Sequence, residues 1–149
     1  MRALLLVLSL LMASTGYAVT FAPSTPARAL NSNFQPSTTR WMLCTYTVEI
    51  VATASVAGGN SGTVELRSNE STPPTTVRTS ATNGFTITLG AGIGWTSTQR
   101  WALSYIVPPG HYVRLDTAGA ATITLVNQTE QTIAPDLDAT EFTTGIPYK

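Results

Sequence analysis

Residues 41–53 read Trp-Met-Leu-Cys-Thr-Tyr-Thr-Val-Glu-Ile-Val-Ala-Thr, and this stretch decides the fold. The even positions Met42, Cys44, Tyr46, Val48, Ile50 and Ala52 are apolar, while Thr45, Thr47, Glu49 and Thr53 point the other way. A period of two sustained over this length is that of a β-strand with one face in a core and the other in water. Downstream, Gly58-Gly59-Asn60-Ser61-Gly62 reads as a turn, and Thr63–Ser68 repeats the alternation with Val64 and Leu66 inward. The short spacing predicts a hairpin between the two runs.

The pattern continues to the end of the domain. After the polar loop 69–74 comes a weak strand, Thr75–Thr82, centred on Val77. Asn83-Gly84 then predicts a tight hairpin turn, because both residues tolerate positive φ, with Phe85, Ile87 and Leu89 alternating against Thr86 and Thr88 beyond it. Gly90, Gly92 and Gly94 lead into Trp95–Val107, where Trp101, Leu103, Tyr105 and Val107 share a face. Pro108-Pro109-Gly110 forces a turn. His111–Leu115 returns, residues 116–120 turn again, and Ala121–Val126 and Gln128–Ile133 complete the series. About eight short strands and no helical periodicity after the N-terminal leader predict an all-β, antiparallel β-sandwich, jelly-roll or immunoglobulin-like.

Four regions follow from this reading. Residues 1–18 place Arg2 before an apolar run, Ala3–Ala13, and end in Gly16-Tyr17-Ala18, the layout of a signal peptide cut after Ala18. The alternative is a retained apolar arm that docks on a neighbouring subunit. A membrane span is disfavoured, since about 11 apolar residues fall short of the roughly 20 needed. Residues 19–40, with prolines at 23, 26 and 36, read as an extended linker; 41–134 form the sandwich and 135–149 a C-terminal tail.

Composition limits the chemistry. Eight basic and eight acidic residues cancel, and charged residues are only 11% of the 149, about half the usual share. The arginines are scattered and the only lysine is Lys149, so a phosphate-tracking nucleic-acid surface is not expected. Cys44 stands alone, which excludes an internal disulfide and thiolate zinc sites.

No arranged catalytic group is legible. His111, the single histidine, follows a turn in a strand whose inward neighbours are Val113 and Leu115, so it reads as structural. No serine sits in a Gly-x-Ser-x-Gly elbow. Gly90-Ala91-Gly92-Ile93-Gly94 lacks the lysine and helix of a phosphate loop. Asp136, Asp138 and Glu141 lack the spacing of a calcium loop. The chain is therefore expected to be no enzyme and to need no metal or cofactor. Asn69-Glu70-Ser71 and Asn127-Gln128-Thr129 match the short glycosylation acceptor pattern. Trp41, Trp95, Trp101, Tyr112 and Tyr148 fit core packing, with Trp95 the exception beside its glycine-rich loop, where aromatics tend to serve recognition. The candidate surface-recognition set is Trp95, Gly92, Gly94, Pro109, His111 and Tyr112.

Two stretches carry a family likeness: Arg28-Ala-Leu-Asn-Ser-Asn-Phe-Gln-Pro-Ser-Thr-Thr-Arg40 and Ser104-Tyr-Ile-Val-Pro-Pro-Gly-His-Tyr-Val-Arg-Leu115. With Ser61-Gly-Thr-Val-Glu-Leu66 and Gln128-Thr-Glu130, the chain resembles small, mostly uncharacterised proteins encoded among tail and virion genes of tailed phages and prophages. The resemblance implies a non-enzymatic virion component, such as a capsid decoration or tail-fibre-type protein, in symmetric homo-oligomers, trimers among them. Its expected partners are its own subunits and a phage capsid or tail protein. A cleaved leader would instead make it a periplasmic or secreted module that recognises a host-surface glycan or other surface molecule.

Overall fold

The computed structural model describes residues 22–55, 58–85 and 93–133. The leader, Gly90-Ala91-Gly92, the alternating residues 86–89 and the tail with Asp136, Asp138, Glu141 and Tyr148 lie outside them. Among the described residues there is no helix, and seven strands occur: β1 Met42–Ser55, β2 Gly58–Gly59, β3 Ser61–Asn69, β4 Val77–Gly84, β5 Trp95–Val107, β6 Tyr112–Gly119 and β7 Thr122–Thr132.

Two antiparallel sheets pack together. In the larger, β1 is central, with β5 on one side and β7 and the short β2 on the other. In the smaller the order is β4, β3, β6. The even residues of β1 face the second sheet, and Cys44, Tyr46, Val48, Ile50 and Ala52 are fully buried. Met42, Cys44, Tyr46, Val48 and Ile50 meet Val64, Leu66, Ala81, Leu103, Val107, Val113 and Leu115 in one core.

Several sequence expectations need correction. The runs beginning at Trp41 and Thr63 do not form a hairpin: β1 pairs with β5 and β7, while β3 lies in the opposite sheet. Asn83-Gly84 is not a turn but the end of β4, where Asn83 pairs with Gly62 and Gly84 with Ser61. Asn83 is buried, and its Nδ2 donates to the Ile50 and Ser97 carbonyls at 2.9 and 3.1 Å, tying the two sheets together. Glycine is required at 84 for close approach, since a Cβ there would stand 2.5 Å from that of Ser61. The expected strands 121–126 and 128–133 are one strand, β7. Its register against β1 jumps from Asn127 opposite Thr47 to Leu125 opposite Val48, so Val126 forms a bulge.

The segment 22–40 is extended, but it is no free linker. Ser24 bridges to Glu130 of β7, and Phe34 to Val113 of β6. The Asn31 amide donates to the Leu115 carbonyl at 2.8 Å, and its side chain clasps Thr117. This arm thus runs from an edge of the larger sheet to an edge of the smaller one and seals that side of the sandwich. Phe34 packs edge-on against Tyr46 at 5.7 Å. Arg28 lies 4.6 Å over the Phe34 ring. It reaches the buried Glu130 carboxylate with Nε at 2.9 Å and Nη2 at 2.8 Å, and the Tyr46 hydroxyl donates to the same carboxylate at 2.9 Å.

Candidate functional site

The five candidate surface residues that are described, Trp95, Gly94, Pro109, His111 and Tyr112, do not lie on one surface. Trp95 opens β5, with Gly94 just before it, whereas Pro109, His111 and Tyr112 follow its other end. Twelve residue steps at about 3.3 Å each separate the two groups by roughly 40 Å. Gly92 lies outside the described residues.

At the Pro109 end, Gly110 takes φ +78°, and the His111 amide donates back to the Pro108 carbonyl at 3.3 Å. The arm braces this turn: Gln35 Nε2 donates to the Gly110 carbonyl at 2.7 Å, and the Gly110 amide to the Ser37 carbonyl at 3.0 Å. The facing loop is held by Asn69, whose Oδ1 accepts from the Ser71 amide and hydroxyl at 3.2 and 3.1 Å. Its Nδ2 donates to Thr75 at 3.0 Å. Between turn and loop lies an open cleft of about 500 Å³ lined by Asn69, Glu70, Ser71 and His111.

His111 sits mostly buried in the wall of this cleft. Its Nε2 is 3.7 Å from Glu70 Oε1, beyond hydrogen-bond length. Its Nδ1 is buried without a protein partner. The Ser71 hydroxyl is bonded to Asn69, so serine and histidine are not linked as nucleophile and base. Among the described residues, no three His, Cys, Asp or Glu side chains stand together to hold a metal ion.

At the other end of β5 the inner row is Trp95, Ser97, Gln99 and Trp101, opposite Ala54, Ala52, Ile50 and Val48 of β1. Trp101 shares its face with Leu103, Tyr105 and Val107, as the sequence predicts, but is 43% exposed, and Trp95 is 60% exposed. The sequence does not mark Trp101 as a surface residue, because alternation reports which face a side chain takes, not whether the opposite sheet covers it. Among the described strands, β5 lies at an edge of its sheet and faces β4, at an edge of the other. That seam is crossed by the Asn83–Ser97 hydrogen bond and by Arg78, stacked 5.0 Å from the Tyr105 ring.

A third surface is the outer face of the larger sheet. Leu43 and Ile106 are register partners and are 37% and 49% exposed. Beside them the Thr45 and Ser104 hydroxyls share a 2.9 Å hydrogen bond, with Thr129 next in the same row. Further along, Arg100 and Glu49 neutralise each other at 2.7 Å.

No protein-family model matches the chain, and no curated protein and no solved structure gives a significant match.

Proposed function

We propose that the chain is a non-catalytic structural accessory of a tailed-phage virion, of capsid-decoration or tail-fibre type. It works by packing its sandwich against like subunits and a capsid or tail protein. The observation that carries this reading is the outer face of the larger sheet, where the apolar pair Leu43 and Ile106 adjoins a row of hydroxyls and the charges cancel locally. Three strands at about 4.8 Å spacing and 14 residues of β1 give a face of roughly 600 Å². That approaches the ~800 Å² per partner of a standard interface. Among the described residues, strands divided four and three fit the immunoglobulin-like form. The likeness of residues 28–133 to phage virion and tail products supplies the partner class.

Mass spectrometry of purified phage particles from a producing host tests the proposal. The chain should be present in integral copy number, with an intact Met1, and Ile106→Asp should abolish its incorporation while leaving the fold intact. A monomer in solution that is absent from particles, or a mature N-terminus at Val19, overturns the virion assignment.

A further inference from the structure

The inner row of β5 combines features that the packing face does not use. Trp95, Ser97, Gln99 and Trp101 project to the core side of the larger sheet, since their register partners Ala54, Ala52, Ile50 and Val48 are 0–3% exposed. Yet both indoles remain open to solvent, at 60% and 43%. Large aromatics on the core side of a sheet are ordinarily covered. Here they line the seam between β4 and β5, whereas the opposite seam is sealed by residues 22–37.

We infer that this row is a binding strip for an extended, neutral carbohydrate chain. Six residue steps place the two indoles roughly 20 Å apart, so each stacks on a different sugar ring. The exposed Gln99 amide lies between them to exchange hydrogen bonds with ring hydroxyls.

The chemistry argues against other occupants. The row carries no ionisable side chain; Arg100 points to the other face and is held by Glu49, and Arg78 of the seam lies past Trp101, over the Tyr105 ring, with its Nε donating to the Ser68 carbonyl. A single-stranded nucleic acid would need cations along its backbone beside the stacking rings, and a charged polysaccharide would need the same. Two indoles with an amide and a hydroxyl between them do not make the contiguous apolar centre on which protein interfaces depend. A linear polyhydroxylated chain requires only what is there: flat apolar rings at intervals, with neutral hydrogen-bonding groups between. The inference does not depend on the virion assignment.

Affinity electrophoresis of the full chain through gels containing hydroxyethylcellulose, laminarin, galactomannan or alginate tests it, with tryptophan fluorescence titration of any glycan that retards migration. Retardation is expected in at least one neutral gel and not in alginate. Trp95→Ala, Trp101→Ala and Gln99→Ala are each expected to weaken binding by about tenfold, with Ile133→Ser, on a distant exposed edge, unchanged. Gln99→Ala leaves both indoles in place, so it separates lost contact from lost folding, and Trp101→Phe keeps a ring over the core and retains partial binding. The inference is overturned if no neutral glycan retards the folded wild type, or if the three alanine variants bind as it does. It is equally overturned if Trp101 drives self-association in sedimentation without glycan binding.

Discussion

Replacing Arg28 with alanine tests whether the arm is part of the domain or an appendage. Glu130 is 3% exposed, and its carboxylate is held by two charge-assisted bonds from Arg28 and one from the Tyr46 hydroxyl. Arg28→Ala removes both of the former and leaves a buried carboxylate with a single neutral donor. Breaking such a pair costs about 3–5 kcal/mol. Because Arg28 is itself 21% exposed, water enters the vacated space, and the lower end, about 3 kcal/mol, applies. For a domain of this length, about 4 °C of Tm per kcal/mol gives a fall of roughly 12 °C in scanning calorimetry. Hydrogen exchange should also accelerate at the amides that seat the arm, those of Ser24, Asn31, Phe34 and Glu130. A triple variant, Arg28→Met with Glu130→Leu and Tyr46→Phe, recovers most of the loss, because an apolar replacement removes every unpaired group together. A fall in Tm under about 3 °C, with unchanged exchange at those amides, would refute the argument that the arm is an integral wall of the sandwich.

Burial pushes the Cys44 thiol up to about 12 from a reference of 9.0, and burial raises the Tyr46 hydroxyl in the same direction. Folded and unfolded, both groups are neutral below about pH 8, so they add no pH dependence there. Above it the unfolded thiol loses its proton while the folded one keeps it, and stability falls by roughly 2 kcal/mol by pH 10.5 from Cys44 alone; alkaline urea melts of Cys44→Ala should show a shallower decline. Thiol reagents should label native Cys44 only at the rate of unfolding, so rapid labelling at neutral pH would contradict its placement. Gly84→Ala should destabilise by about 1–3 kcal/mol, because the new methyl meets Ser61 Cβ at 2.5 Å. Ser61→Gly in the same chain should restore part of that in a urea melt; equal stability of Gly84→Ala and wild type would restore the turn reading of Asn83-Gly84.

The parts of the fold legible in the sequence are those governed by the pleat. Alternation along 41–53 identified the buried side of β1 residue by residue, because side-chain direction in a strand is fixed locally. Strand partnership was not legible: the glycine-rich segment after β1 carries the chain into the other sheet, and a short connection looks the same in either case. Asn83-Gly84 misled because its residue types suit a turn, while the structure uses the asparagine as a buried inter-sheet clasp and the glycine for its missing Cβ. The bulge at Val126 absorbed what looked like a break between two strands. In the arm, prolines and hydroxyls signalled extended backbone, but the anchors Arg28, Asn31 and Phe34 depend on residues some 80–100 positions away. The candidate surface came apart for a related reason: its members are neighbours of β5 in sequence, and a 13-residue strand holds its two ends far apart.

Low charge and the placement of the charges that remain bear on how this protein associates. The carboxylates Glu49, Glu65, Asp116 and Glu130 each face an arginine, and Glu70 approaches His111. Arg28, Arg67, Arg100 and Arg114 are engaged by these carboxylates, and Arg78 stacks on Tyr105. Among the described residues most charges therefore pair locally, and the two surfaces proposed for recognition, the outer sheet face and the β5 strip, project little field. Such surfaces gain little from long-range steering and rely on short-range fit, which suits repeated contacts at the high local concentration of an assembly or a polymer chain. Salt screens charges over about 10 Å at 0.1 M and about 3 Å at 1 M, so incorporation into particles and retardation by neutral glycan should both change less than about twofold across that range. A steep loss with salt would mean that charged groups outside these two surfaces carry the binding.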